Sequence, residues 1–243
     1  MARVCVDNNY FRVDDSGRLS VVRGSLGYQE TVQVFGGVLP LNFEIANYPL
    51  ATWLFVECIG GGGGGCGADA RASSTTGAVG GGGSGGTYCA SWLRADALPA
   101  VVVTSAGQGG SGGVFGDGAN GVQSNFGTLV VAPGGIGARE VYGASTSATR
   151  NPAGPSPALG TGQIRRVGAP GIAGVMNHIT HKSGGNGGAS GIGGAGGLAG
   201  LGNEPGFTGA IFAGGGGGGA AAVNSAQTGG SGGAGLVRIG IYN

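Results

Sequence analysis

Few residues of this chain have the types and spacing that catalysis or metal binding requires. His178 and His181 form an HxxH pair, but a zinc site needs a third and a fourth ligand, and the surrounding sequence offers no clear candidate. The chain has only two histidines, and its Gly-Ser pairs lie inside glycine tracts, so neither a serine triad nor a nucleophile elbow is indicated. The acidic residues are scattered and form no pair typical of glycosidases. We therefore predict no enzyme activity, no metal site and no cofactor.

Two further motifs give the same result. GxGxxG matches occur throughout, for example at Gly191, Gly193 and Gly196, but chance explains them in so glycine-rich a chain, and no crossover helix or ribose-binding acid accompanies them. No GxxxxGK[ST] loop is present. The cysteines follow no CxxC or other metal spacing, so we expect small buried thiols. They are Cys5, Cys58, Cys66 and Cys89.

Glycine dominates the composition, with 63 of 243 residues. In helices or pleated strands so much glycine would be strongly destabilising, because glycine loses the most conformational freedom on folding. Disordered chains are polar and charged, whereas here hydrophobic residues make up 40% and charged residues 9%. The glycine tracts are therefore predicted to fold into something that only glycine can form. The net charge of +1 gives no footprint for nucleic acid, and no apolar run is long enough to predict membrane insertion.

The first 50 residues differ from the rest, because glycine is sparse and apolar residues alternate with polar ones. This period of two predicts antiparallel strands, two of them around a turn at 14–17. We predict a small β module at 1–50 for attachment or oligomerisation, since its strands would leave edges and an apolar face uncovered. From 51 to 243, apolar strands alternate with glycine tracts, so the predicted fold class is all-β. The side chains expected in the core are Leu54, Val56, Cys58, Tyr88 and Trp92.

A three-residue period runs through the tract 184–201. Glycine occupies 185, 188, 191, 194, 197 and 200, and a second register, 184, 187, 193 and 196, is broken only by Ser190. A polyproline-II-type helix has three residues per turn and no internal hydrogen bonds, so its buried amides must pair with adjacent rods. We therefore predict packed polyglycine-II helices, whose third register presents Ile192, Leu198 and Leu201 to a hydrophobic layer. Collagen would need a strict single-glycine period and abundant proline, and a silk-like pleated stack is the remaining alternative.

Between about 138 and 183 the alternation lapses into prolines and Ser/Thr-rich patches, which predicts a long loop excursion. Aromatic and arginine side chains are the usual anchors of recognition. The excursion therefore supplies the candidate receptor contacts, with a plain solvated or interface loop as the alternative. These candidates are Tyr142, Arg150, Arg165, Arg166, Met176, His178 and His181.

Several segments resemble the glycine-rich tail proteins and tail-fibre-tip adhesins of bacteriophages. The likeness lies in an apolar strand running straight into polyglycine (WLFVECIGGGGGGCG), and in GGSGGTYC, SNFGTLVVAPGG and GGSGGAGLVRIGIYN. The segment VDNNYFRVDDSGRLSVV looks like the opening of actinobacteriophage-type minor tail proteins. The resemblance covers most of the chain and implies a sandwich of polyglycine-II helices with host-range loops between them.

By that resemblance, the chain would be a tail fibre or minor tail protein at the tail tip, assembled in the bacterial host cytoplasm and located in the virion. Its partners would be other tail proteins, a glycan or protein receptor on the bacterial surface, and further copies of itself in a homotrimer. A polyglycine-II ice-binding protein is the first alternative, which a thermal hysteresis assay separates. A tail-associated polysaccharide depolymerase is the second, which release of reducing sugar from host envelope would reveal.

Overall fold

In the computed structural model, the described residues are 11–13, 19–21, 28–37, 39–68, 77–139, 149–151, 154, 156–178, 181–210 and 226–243. Their strands pair antiparallel throughout, and their helical residues form two short 3-10 turns, Ile45–Asn47 and Ala95–Ala97. The prediction of an all-β fold is confirmed.

The strands form four sheets. In chain order they are β1 (Phe11–Val13), β2 (Leu19–Val21), β3 (Tyr28–Phe35), β4 (Leu41–Glu44), β5 (Trp53–Ile59), β6 (Tyr88–Arg94), β7 (Val101–Ser105), β8 (Ser124–Phe126), β9 (Val130–Ala132), β10 (Thr149–Asn151), β11 (Ile164–Arg166), β12 (Gly174–His178), β13 (His181–Ser183) and β14 (Leu236–Tyr242). A five-stranded sheet has the order β11-β6-β5-β14-β3 and a four-stranded sheet has the order β4-β7-β8-β9. The pair β1-β2 and the triplet β10-β12-β13 make the smaller sheets.

The hydrophobic core lies between the five-stranded and the four-stranded sheet. Alternation along β5 turns Leu54, Val56 and Cys58 inward, where each is fully buried, as predicted. Every second residue of β14 joins them, and the facing sheet contributes Phe43 and Phe126, whose rings meet edge to face with centroids 5.5 Å apart. The two sheets therefore form a sandwich with one shared core.

Glycine tracts continue directly from the strands of this sandwich. The tract 60–68 follows β5, the tract 77–87 leads into β6 and the tract 226–235 leads into β14. Along 60–68 successive amide N–H groups donate to three different tracts, and every third residue donates to the same tract. Residues 60, 63 and 66 donate to the carbonyls of 87, 84 and 81. Residues 61, 64 and 67 donate to the carbonyls of 122, 119 and 116. Residues 62, 65 and 68 donate to the carbonyls of 233, 230 and 227. A three-residue repeat of this kind is the one expected for a backbone with three residues per turn.

The tract 60–68 is buried in the middle of the bundle. Its carbonyls at 61, 62, 64 and 65 accept hydrogen bonds from two further tracts, at 135–138 and 110–113. Within the described residues it is thus bonded to five neighbouring tracts, with N···O distances of 2.7 to 3.1 Å. Its amides find partners sideways between tracts, which meets the requirement that buried backbone groups be paired.

Glycine is required here because the backbones approach too closely for a side chain. A Cβ added to Gly64 would lie 2.0 Å from the carbonyl oxygen of Ser111, and one added to Gly83 would lie 2.3 Å from that of Gly63. No real Cβ tolerates such distances, so either residue could be replaced only if two tracts moved apart.

The tract 184–201 differs from its prediction as one continuous rod. It turns back at Gly191–Ile192, and Gly193 has a φ of +88° that favours glycine. Residues 184, 187 and 190 then donate to carbonyls of 200, 197 and 194, so the two halves lie antiparallel. The predicted register is used in the first half, where 185, 188 and 191 donate to 80, 83 and 86.

The reversal also changes the surroundings of the apolar ridge. Among the described residues, 194–201 is hydrogen-bonded to 184–190 and 204–210. Ile192, Leu198 and Leu201 are 48%, 66% and 61% exposed. The hydrophobic layer predicted to cover them is therefore not supplied by the described residues.

Residues 28–37 and 39–50, expected in a separate module, belong to the sandwich. Strand β3 pairs along its length with β14, and β4 pairs with β7. The reason is that an amphipathic strand buries its apolar face most completely by joining a larger sheet. Strands β1 and β2 do form the predicted hairpin pair, while the turn at 14–17 lies outside the described residues.

The segment predicted as a loop excursion also contains regular structure. Strands β10 to β13 lie within it, and the tract 167–173 packs against the bundle. A Cβ on Gly168 or Gly171 would meet the carbonyl oxygens of Gly85 and Gly82 at 2.1 and 2.0 Å. Single glycines three residues apart thus suffice for packing, and Pro170 between them suits a polyproline-II-type backbone.

Gly63→Ala is expected to destabilise the protein more than Gly193→Ala. At Gly63 the new Cβ would lie 2.3 Å from the Ile136 carbonyl oxygen, whereas at Gly193 nothing lies within 4 Å and only the left-handed backbone is strained. We expect a loss of about 1–2 kcal/mol for Gly193→Ala and about 3 kcal/mol or more for Gly63→Ala. Urea unfolding of both variants measures this, and equal losses would contradict tight packing at Gly63.

The buried cysteines are expected to resist thiol reagents in the native protein. Cys58, Cys66 and Cys89 are buried thiols with no exposed surface, and burial raises the pKa of the Cys58 thiol, which disfavours the reactive thiolate. A Cys5→Ser variant should therefore react with a disulfide reagent only after unfolding, releasing three equivalents of product. Rapid reaction of folded protein at pH 8 would contradict this burial.

Candidate functional site

The described members of the predicted receptor contacts are distributed over two sheets. Tyr142 lies outside the described residues. Arg150, in β10, lies opposite Val175 of β12, and His178 lies opposite His181, so the three-stranded sheet brings part of the set together. Arg165 and Arg166 lie elsewhere, exposed on β11 at the edge of the five-stranded sheet.

Met176 is unsuited to surface contact. Its side chain is only 2% exposed, because alternation along β12 turns Gly174 and Met176 inward and leaves Asn177 exposed. His181 is exposed on β13. Three of the predicted contacts therefore have side chains that are both described and exposed: Arg165, Arg166 and His181.

A different set of side chains stands out on the outer face of the five-stranded sheet. We call Trp53, Phe55, Trp92 and Tyr242 the aromatic face; they belong to β5, β6 and β14. Phe55 and Trp92 are direct cross-strand partners with ring centroids 4.8 Å apart, and Trp92 and Tyr242 lie 5.0 Å apart. Trp53 and Trp92 are 44% and 43% exposed. Such a cluster of large exposed rings is unusual on a surface that nothing covers.

Strand parity explains how the aromatic face forms. Because β5 turns Leu54, Val56 and Cys58 inward, Trp53 and Phe55 point outward. Tyr88 and Trp92 were both predicted to lie in the core. Their shared parity places both on the outer face of the sheet, where Tyr88 is buried at 8% exposure and Trp92 is exposed. Parity shows which side chains share a face, and only the second sheet decides which face is inside.

A polar network borders the aromatic face on the same side of the sheet. The Tyr88 hydroxyl donates to Glu57 Oε1 at 2.8 Å, and Arg238 pairs with the other carboxylate oxygen. Burial, followed by the hydrogen bond and charge of Glu57, raises the pKa of Tyr88. Since the Glu57 side chain is only 14% exposed, this ion pair is held more rigidly than a surface pair.

Two clefts flank the aromatic face. One, of about 360 Å³, is lined by Ala51, Thr52, Trp53, Arg94 and Asp96. The other, of about 280 Å³, lies beside the polar network and is bordered by Ile192 from the turn of the glycine bundle. Both clefts lie near the lower end of the range for small-molecule sites, about 300–1,000 Å³.

The hydrogen-bonding groups around Trp92 are held in place by local partners. Arg94 forms a two-pronged pair with Asp96 that lowers the pKa of that carboxyl. The Gln163 side-chain amide accepts a hydrogen bond from the Trp92 backbone N–H at 3.1 Å and donates to its carbonyl at 3.2 Å. Side chains and backbone thus set the geometry around Trp92 before any ligand binds.

No group of three or more His, Cys, Asp or Glu side chains capable of holding a metal occurs among the described residues. Nor does the described part of the chain contain a helix long and apolar enough to cross a membrane.

The sequence signal for the aromatic face was the set of outward-pointing aromatic residues in strands β5, β6 and β14. The sequence alone did not show that these three strands are neighbours.

Arg238→Met is expected to destabilise the protein by about 1–3 kcal/mol, because it leaves the largely buried Glu57 carboxylate without its cation. Arg94→Met is the matched control, since both partners of the Arg94–Asp96 pair are more than half exposed. That variant should unfold at the wild-type urea concentration. Equal midpoints for the wild type and Arg238→Met would show that the network does not stabilise the fold.

Comparison with known proteins places the chain in no family. No protein-family model matches it, and no curated protein does. Its function must therefore be inferred from its own residues and geometry.

Proposed function

We propose that the chain is a structural component of a bacteriophage tail, a tail fibre or minor tail protein at the tail tip, that takes part in binding the host surface and performs no catalysis. The observation that carries this proposal is the sideways hydrogen bonding of the tract 60–68 to five neighbouring tracts. With its three-residue period, it supports packed polyglycine-II helices. We expect a bundle with these sideways hydrogen bonds to be stiff, and its tracts continue directly from strands of the β-sandwich.

A stiff bundle suits a part that transmits force and holds a binding surface. Loops and edges placed on a rigid scaffold are the usual carriers of recognition. Here Arg165, Arg166 and His181 are exposed beside the bundle, and the aromatic face lies on the sandwich. These surfaces support a contact with the bacterial cell surface, glycan or protein.

The outer surface of the bundle supports assembly with further subunits. Leu198, Leu201 and Phe207 are each more than half exposed, although large apolar side chains in a group are normally covered. We propose that other copies of the chain, in a homotrimer, or other tail proteins cover them. The protein would then be made in the host cytoplasm and reside in the virion.

Antibody labelling tests the location. Gold-labelled antibody against this chain should mark the tail tip of phage particles in negative-stain micrographs. Unlabelled tails on particles whose denatured proteins include this chain would place it elsewhere in the virion, and particles lacking the chain would overturn the proposal.

The double change Arg165→Ser and Arg166→Ser tests the binding role. Both side chains are exposed on an edge strand, so their loss should leave the core intact. We expect adsorption to host cells to fall by about tenfold or more, as for loss of an anchor residue. Glu204→Gln, exposed at a turn of the bundle, is the control and should adsorb normally. Normal adsorption of the double variant would remove these arginines from the contact surface.

A further inference from the structure

We infer that the aromatic face and its flanking cleft form a binding site for a neutral saccharide. The inference deepens the proposed function, on which its biological role rests, by naming the chemistry of the receptor. It also moves the principal contact from the predicted excursion to the outer face of the five-stranded sheet.

The first argument is the shape and polarity of the ligand that the rings fit. Trp92 lies between Phe55 and Tyr242 at interplanar angles of 37° and 54°, so the rings brace one another without stacking flat. Gly240, opposite Phe55, contributes no side chain, and the Tyr242 ring lies over it, 3.1 Å from the position that a Cβ would take. A pyranose ring has a flat apolar C–H surface and a rim of hydroxyls, and it can therefore lie on exposed aromatic faces while its hydroxyls meet polar neighbours.

The second argument is charge. Arg94 is paired with Asp96, and Arg238 is paired with Glu57, so the cations that line the two flanking clefts are each paired with a carboxylate. These pairs still present directed donors and acceptors, and the cleft lined by Trp53, Arg94 and Asp96 brings them beside the rings. Clefts with fixed hydrogen-bonding groups and paired charges complement a neutral polyhydroxyl compound better than a polyanion.

The third argument excludes a mainly apolar occupant. A protein or lipid surface covering the rings would also cover the charged pairs at either end of the aromatic face, and removing them from water is costly. A sugar can instead replace water as their hydrogen-bonding partner. Because Gln163 and the neighbouring rings already hold Trp92, little ordering is needed on binding.

The experiment titrates the purified full chain with neutral oligosaccharides of glucose, galactose, mannose and arabinose, following tryptophan fluorescence and binding heat. We expect one of these classes to bind and to perturb Trp92. Trp92→Ala should weaken binding by about tenfold or more, and Trp92→Phe should restore part of the affinity. Phe207→Ala, which removes an exposed ring on the bundle, should bind like the wild type. Circular dichroism and urea unfolding show whether each variant is folded.

Three results would overturn the inference. They are absence of saccharide binding by the folded chain, binding that Trp92→Ala leaves unchanged, and a preference for a sulfated polysaccharide that fades with salt. Self-association that protects Trp92 from quenching would instead assign the face to a second copy. Tail labelling without saccharide binding would refute this inference and leave the proposed function standing. Saccharide binding without tail labelling would support this inference and refute the proposed function.

Discussion

The architecture depends on one constraint: buried peptide groups must be paired, and the glycine tracts pair theirs with other tracts. In this chain the amides of 60–68 are directed in three directions toward separate tracts, and each tract must come within hydrogen-bonding distance. A Cβ at the contact positions would lie about 2 Å from a neighbouring carbonyl oxygen. The abundance of glycine is therefore a requirement of close backbone approach.

The sandwich and the bundle support each other through continuous chain segments. Strands β5, β6 and β14 are neighbours in the five-stranded sheet, and their glycine tracts remain neighbours beyond it. The apolar core aligns the strands, since a slip of one residue would turn Leu54 and Val56 out of it. That alignment sets which carbonyl each glycine amide meets. The bundle in return holds the strand ends together where the sheet ladder stops.

The functional surfaces follow from what this arrangement leaves uncovered. The inner faces of both sheets are used by the core, so the outer face of the five-stranded sheet carries the aromatic face. Its rings come from strands far apart in the chain, and the Glu57, Arg238 and Tyr88 network fixes the strands beside them. A scaffold with little internal freedom thus presents aromatic and polar groups in a set geometry, as a surface-binding protein requires.

The sequence by itself determined the all-β class, the shared face of Leu54, Val56 and Cys58 in β5 and the three-residue spacing of glycine, because these are local periodicities of the backbone. It also held a signal for the tract 167–173 in Gly168 and Gly171, which Pro170 between them obscured. Tertiary structure alone decided that 184–201 turns back at Gly193, that β3 joins β14 and that Trp92 lies outside. The reason is that glycine tracts of the same pattern are equivalent until distant hydrogen bonds and a shared core select their neighbours.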